Sequence, residues 1–139
     1  MQINVLQSEG VRFSIQARNH TILCDQPEDN GGNDMGMTPP ELLLASLGSC
    51  AAFYAVEYLR TRKLAEYGVS VTVNAEKLKG PARLGNFQIR VNSPIPLTSE
   101  QREAMVRSVE HCLVKNTLLN PPQIEVSLEA PNPASSAVS

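Results

Sequence analysis

The sequence predicts an α+β domain with a mostly antiparallel sheet, and three observations carry that reading. Short runs alternate apolar and polar residues with a period of two, as half-buried strands do. Two separate Thr-initiated motifs have the form of helix starts. Between Glu41 and Glu57, fifteen consecutive residues are uncharged, Leu42 to Val56 (LLLASLGSCAAFYAV), with Cys50 near their middle. A run of that length falls short of the roughly 20 residues a bilayer span needs. A helix apolar on every side is therefore expected to be buried within protein.

In chain order, Ile3 and Val5 open a short strand and Ser8-Glu9-Gly10 a turn. Val11, Phe13, Ile15 and Ala17 then alternate with Arg12, Ser14, Gln16 and Arg18, which predicts a hairpin strand with a polar outer face. His20 to Cys24 reads as a third strand and the glycine-rich Asp25 to Met37 as a loop. Thr38-Pro39-Pro40-Glu41 places a threonine at the N-cap, proline at the first helical position and glutamate at the third, a capping box. The long helix starts there and runs to about Lys63, with Gly68 in the turn that ends it.

Val69, Val71, Val73 and Ala75, and after Gly80-Pro81 the residues Phe87, Ile89 and Val91, predict two long antiparallel strands. Thr98-Ser99-Glu100-Gln101 repeats the capping box and opens a second helix. On it Met105, Val109 and Cys112 share one face, and Arg102, Glu103, Arg107 and Glu110 form the solvated side. After Pro121-Pro122, the alternation of Ile124, Val126 and Leu128 predicts a last strand. The domain is expected over residues 1–129, and 130–139 (APNPASSAVS) read as a disordered tail.

With 42% hydrophobic residues in 139, one domain is the expectation, and neither an internal repeat nor a second domain is visible. A net charge of -2 with interspersed signs offers no basic field for nucleic acid or an anionic membrane, so neither is expected as a partner. MQINVLQSEG has no signal-peptide pattern, which predicts a cytoplasmic protein. Three cysteines in that reducing compartment argue against a structural disulfide framework, so any disulfide should be catalytic or sensing.

On a regular helix Cys50 shares a stripe with Ser46, Leu47, Phe53, Tyr54 and Glu57. Free cysteine is among the most buried residue types, so packing is one role open to it and redox chemistry the other. Cys112, 62 positions later, also points inward on its helix, and whether the sulfurs meet is left open by the spacing. His111 should face solvent and His20 the sheet. With two histidines and no CxxC pair, no metal site or cofactor is expected. Cys24 reads as packing, Arg12 as a surface charge on its strand's polar face, and Glu41 as a capping residue. Gly31-Gly32 lacks the lysine of a phosphate-binding loop.

The stretch Gly36 to Cys50 (GMTPPELLLASLGSC), with a downstream cysteine in His111 to Leu119 (HCLVKNTLL), resembles the OsmC/Ohr family of osmotically induced and organic-hydroperoxide-resistance proteins. The element order agrees with that family's fold up to about residue 129. The resemblance implies an OsmC-like fold in an intertwined homodimer, with the long central helix buried against the partner subunit. It also implies a thiol peroxidase that reduces organic hydroperoxides. Cys50 would become a sulfenic acid, Cys112 would resolve it as a disulfide, and a dithiol reductant, such as one of the lipoyl type, would regenerate both. An arginine of the N-terminal hairpin, Arg12 or else Arg18, would activate the sulfur. A glutamate at the start of the long helix, Glu41, would hold that arginine, with Glu57 as the other acid near the thiol. The family commonly has proline after the second cysteine, where this chain has Leu113, and Pro40 stands where the glutamate usually follows Pro39. A non-enzymatic ligand-binding or redox-sensing protein on the same fold is the alternative.

Overall fold

The structure is a computed structural model and describes residues 1–131. Its elements follow in the order β1 (Asn4–Glu9), β2 (Arg12–Ala17), β3 (His20–Cys24), α1 (Pro39–Thr61), β4 (Ser70–Leu78), β5 (Arg83–Asn92), α2 (Ser99–Val109) and α3 (Leu113–Leu119). This is the α+β order expected from the alternating runs and the two capping boxes.

Strands β1, β2 and β3 form an antiparallel sheet in that order, with Val5 opposite Ile15 and Ile15 opposite Ile22. Gly10, at φ 57°, supplies the left-handed conformation that turns β1 into β2. The expected contrast of a buried and a polar face is absent: every residue of β1 is exposed and every residue of β2 half-buried. Val5, Leu6, Ile22 and Leu23 remain open because, among the described residues, no helix packs broadly on this sheet.

The capping box that starts α1 is formed as predicted. Thr38 Oγ1 accepts the Glu41 N–H, and Glu41 Oε1 accepts the Thr38 N–H at 3.0 Å. The helix ends at Thr61, two residues early, where the Leu64 N–H closes back on the Leu59 carbonyl at 2.9 Å. Its inner face, Leu47, Ala51, Ala55, Tyr58 and Leu59, is buried. Ala55, Tyr58 and Leu59 join Met105 of α2 in the main core, sealed by Val69, Val91, Leu97 and Val109 among others. Gly48 lets α1 approach β4, since a Cβ there would sit 3.0 Å from Val73 Cγ2.

By length and composition α1 could cross a bilayer, but its inner face packs on β4, β5, α2 and α3 as a core helix does. The all-round burial expected for it is not met within one chain. Ala45, Ser46, Ser49 and Phe53 on the opposite side are exposed, Phe53 by 60%.

Strands β4 and β5 pair antiparallel, Val71 opposite Val91 and Val73 opposite Ile89, and their burial alternates as the sequence predicts. Two other expectations are corrected. Cys112 does not lie on α2: that helix stops at Val109, the chain tightens through His111 N–H to Ser108 and Cys112 N–H to Val109 carbonyls, and Cys112 caps a separate α3. The final strand is not formed either, as residues 121–131 carry no regular structure and Ile124, Val126 and Leu128 are 80–93% exposed. A strand needs a neighbour for its backbone hydrogen bonds, and among the described residues no strand pairs with this segment. Most of the expected tail, residues 132–139, lies outside the described residues.

Candidate active site

Helices α1 and α3 meet near the middle of α1, and that contact brings the two predicted sulfurs together. Cys50 is half-buried on α1, while Cys112 is fully buried at the N-cap of α3. The backbone of Cys112 is extended enough (φ -56°, ψ 119°) to break the helical path, and its sulfur accepts the Lys115 N–H at 3.4 Å. An N-cap acceptor is normally an oxygen side chain; here a thiol fills the position. The Cys112 thiol and the backbone N–H groups of Val114 and Leu113 lie near enough to Cys50 to favour its thiolate. Of the first three amides of α3, which have no partner within the helix, that of Lys115 is taken by the Cys112 sulfur.

These contacts divide the protons between the two thiols. Burial pushes the Cys50 thiol up, but the Cys112 S–H and the Val114 and Leu113 amides outweigh it and hold Cys50 below the ordinary cysteine value. Burial raises Cys112, and its hydrogen bond to Cys50 raises it further. The first proton to leave therefore comes from Cys50, and Cys112 remains the donor. Thiolate is the reactive form of cysteine, so the geometry favours Cys50 as the nucleophile of the pair.

The other predicted residues stand elsewhere within one chain. Arg12 Nη2 is held by Glu9 Oε2 at 2.6 Å, and its charge acts on Asp25. Glu41 is occupied by Thr38, whose backbone and side-chain hydrogen bonds keep its carboxyl below the usual value. Arg18 lies exposed in the β2–β3 turn, and Glu57 is exposed on α1. Cys24 is buried beside Phe13 in the β2–β3 pairing.

Asp25 escaped the sequence reading because it opens a loop without periodicity. Only 1% exposed, it accepts N–H groups from Gln26 at 2.8 Å and from Asn33 and Met35 at 3.1 Å. Gly32 and Gly36 permit the tight wrap, since a Cβ on either would strike a backbone carbonyl, of Gln26 or Leu23. An acid followed by spaced glycines is the one local signal that pointed here. Burial pushes the Asp25 carboxyl up, but the three amides and the Arg12 charge win and lower it. A depressed carboxylate stabilises the fold above its unfolded value, near 3.8, and that contribution fades as the pH falls through the lower folded value. Asp25→Ala should therefore lower the melting temperature by several degrees at pH 7 and speed amide exchange at Asn33 and Met35. The difference from wild type should shrink as the pH falls below about 4, where the unfolded carboxylate protonates, and on through the lower folded value, where the native one does.

A cavity of about 740 Å³ lies beyond the corner between α2 and α3. Phe87, Ile89 and Val91 of β5 and Leu118 of α3 line it, together with the Glu110–Lys115 ion pair. Neither sulfur lines it, but α3 is common to both.

Comparison with known proteins supports the fold that holds this pair. The chain superposes on a protein of Psychrobacter arcticus 273-4 with a TM-score of 0.76 at 22% identity, covering 84% of this chain and 87% of that one. The OsmC-like protein of Mycoplasma pneumoniae gives 0.69 at 18% identity, covering 86% and 87%. The organic hydroperoxide resistance protein OhrB of Bacillus subtilis gives 0.56 at 18%, covering 84% and 90%. No curated protein matches the sequence. The family model described as OsmC-like protein matches residues 31–127, a span that includes Glu41, Cys50 and Cys112. With that match over more than half of its length and the same fold in these structures, the chain belongs to the OsmC-like protein family.

Proposed function

We propose that the protein is a thiol peroxidase that reduces organic hydroperoxides through Cys50 and Cys112. The observation that carries this reading is the proximity of two cysteine thiols 62 positions apart, close enough to act on each other, with Cys50 the more acidic. Family membership and the likeness to an organic hydroperoxide resistance protein support it.

In the first step the Cys50 thiolate uses an electron pair to bond the outer peroxide oxygen. The O–O bond breaks, the alkoxide takes a proton and leaves as alcohol, and Cys50 becomes a sulfenic acid. Cys112 sulfur then attacks Cys50 sulfur. Hydroxide leaves and takes up the Cys112 proton as water, and a disulfide forms. A dithiol reductant, of the lipoyl type in this reading, returns two electrons by exchange.

A homodimer belongs to the same proposal. The open faces of the N-terminal sheet, the exposed side of α1 with Phe53 and the unpaired run Ile124–Val126–Leu128 are surfaces a second copy would cover. In that dimer Arg12 would come to the Cys50 thiolate as its cation and Glu41 would anchor the arginine. The cytoplasm is the proposed compartment, since its reducing pool keeps both thiols ready. A second reading, a small-ligand binding or redox-sensing protein, draws on the apolar 740 Å³ cavity. Turnover decides between them: with dithiothreitol or dihydrolipoamide present, the peroxidase consumes cumene hydroperoxide over many cycles. A protein that consumes none would contradict the proposal.

A further inference from the structure

The cavity of about 740 Å³ between β5, α2 and α3 has the size of pockets that hold small ligands. Leu47, on the buried inner face of α1, lines it, so it lies away from Phe53 and the surface of α1 assigned above to a second copy. Helix α2 gives it a continuous stripe. Arg102, Met105, Val106, Val109 and Glu110 all line the cavity, and their offsets of three, four, seven and eight put them on one helical face. At 1.5 Å per residue, Arg102 and Glu110 mark two ends about 12 Å apart.

The charges at those ends are unequal. Glu110 is matched by Lys115, which lines the cavity with it. Arg102 joins no ion pair among the described residues. The slot is therefore apolar along its length, cationic at the Arg102 end and neutral at the other.

We propose that this cavity binds a single-chain aliphatic carboxylate, with its head on the Arg102 guanidinium and its chain along Met105, Val106 and Val109. A guanidinium presents a fork of donors that matches a carboxylate, and the stripe takes methylenes out of water. Glu110 fixes the direction of the chain, because a second carboxylate at that end would meet a like charge. Neither sulfur lines the cavity, so the bound molecule is a ligand and not a peroxide under attack. The inference thus stands apart from the peroxidase reading.

Isothermal titration calorimetry with octanoate and decanoate tests it, at about pH 8, where the carboxylates are ionised, and below their micelle concentrations. Decanoate should bind one per chain. Its two extra methylenes should tighten binding roughly fifteenfold over octanoate, about fourfold for each. Arg102→Gln should weaken decanoate about fivefold, as loss of a partly exposed ion pair does, and leave 1-decanol unaffected. Val106 is 60% exposed, so Val106→Trp should fold, as circular dichroism would show, and its ring should fill the slot and abolish binding of both molecules.

Absence of decanoate binding, equal affinity for octanoate and decanoate, or an R102Q protein that holds decanoate as tightly as wild type would overturn the proposal. So would a folded V106W protein that still binds. An affinity that falls as the protein concentration rises would give the cavity to a second copy and overturn it as well. Cys50→Ser should bind decanoate as wild type does, so absence of turnover would sink the peroxidase reading and leave this one to its own titrations.

Discussion

Cys50→Ser should reduce the consumption of cumene hydroperoxide by on the order of 10³-fold or more, to the level of the buffer with reductant. The substituted hydroxyl has nearly the shape of the thiol at a half-buried position, so the fold should survive. What is lost is chemistry. Serine stays protonated at neutral pH, and its oxygen cannot take the peroxide oxygen and pass it on as a sulfenic acid does. A coupled assay with dihydrolipoamide measures the loss. Undiminished turnover, with a ligand still held in the cavity beside α3, would instead favour the binding-protein reading.

Cys112→Ala should act twice. It removes the S–H that donates to Cys50, so alkylation of Cys50 at pH 7 should slow several-fold and need a higher pH to reach its maximum. It also removes the resolving sulfur, so one equivalent of peroxide should leave Cys50 as sulfenic acid, trapped by dimedone, and excess peroxide should carry it on to sulfinic acid. Multiple turnover should fall by at least about tenfold, with no intramolecular disulfide formed. Dimedone labelling followed by peptide mass spectrometry reads both outcomes. Because Cys112 also accepts the Lys115 N–H as the cap of α3, a modest loss of stability is expected alongside.

The parts legible in the sequence are those governed by local periodicity and capping. The hairpin and the two long strands follow from period-two alternation, and both capping boxes, Thr38 with Glu41 and Thr98 with Gln101, form as written. The end of α2 was not legible, because Met105, Val109 and Cys112 keep helical spacing whether or not the backbone continues. The break is made by the conformation of Cys112 and the amide its sulfur accepts. Ile124 to Leu128 illustrate the opposite failure: the alternation is real, but a strand exists only beside another strand.

Within the site, burial of Cys112 on an inner face was readable, whereas its meeting with Cys50 is a tertiary fact across 62 residues. The backbone amides that favour the Cys50 thiolate were not readable either, because any residue except proline carries one. Asp25 was hidden for a related reason: its partners are backbone groups of a loop whose path only the glycines hint at.

The most direct test of the account is to treat the reduced protein with one equivalent of cumene hydroperoxide, block the remaining thiols, digest without reductant and identify linked peptides by mass spectrometry. The account predicts a Cys50–Cys112 disulfide as the main product, with Cys24 recovered as a free, blocked thiol. Oxidation that leaves Cys50 and Cys112 unlinked, or that joins either of them to Cys24 instead, would contradict it.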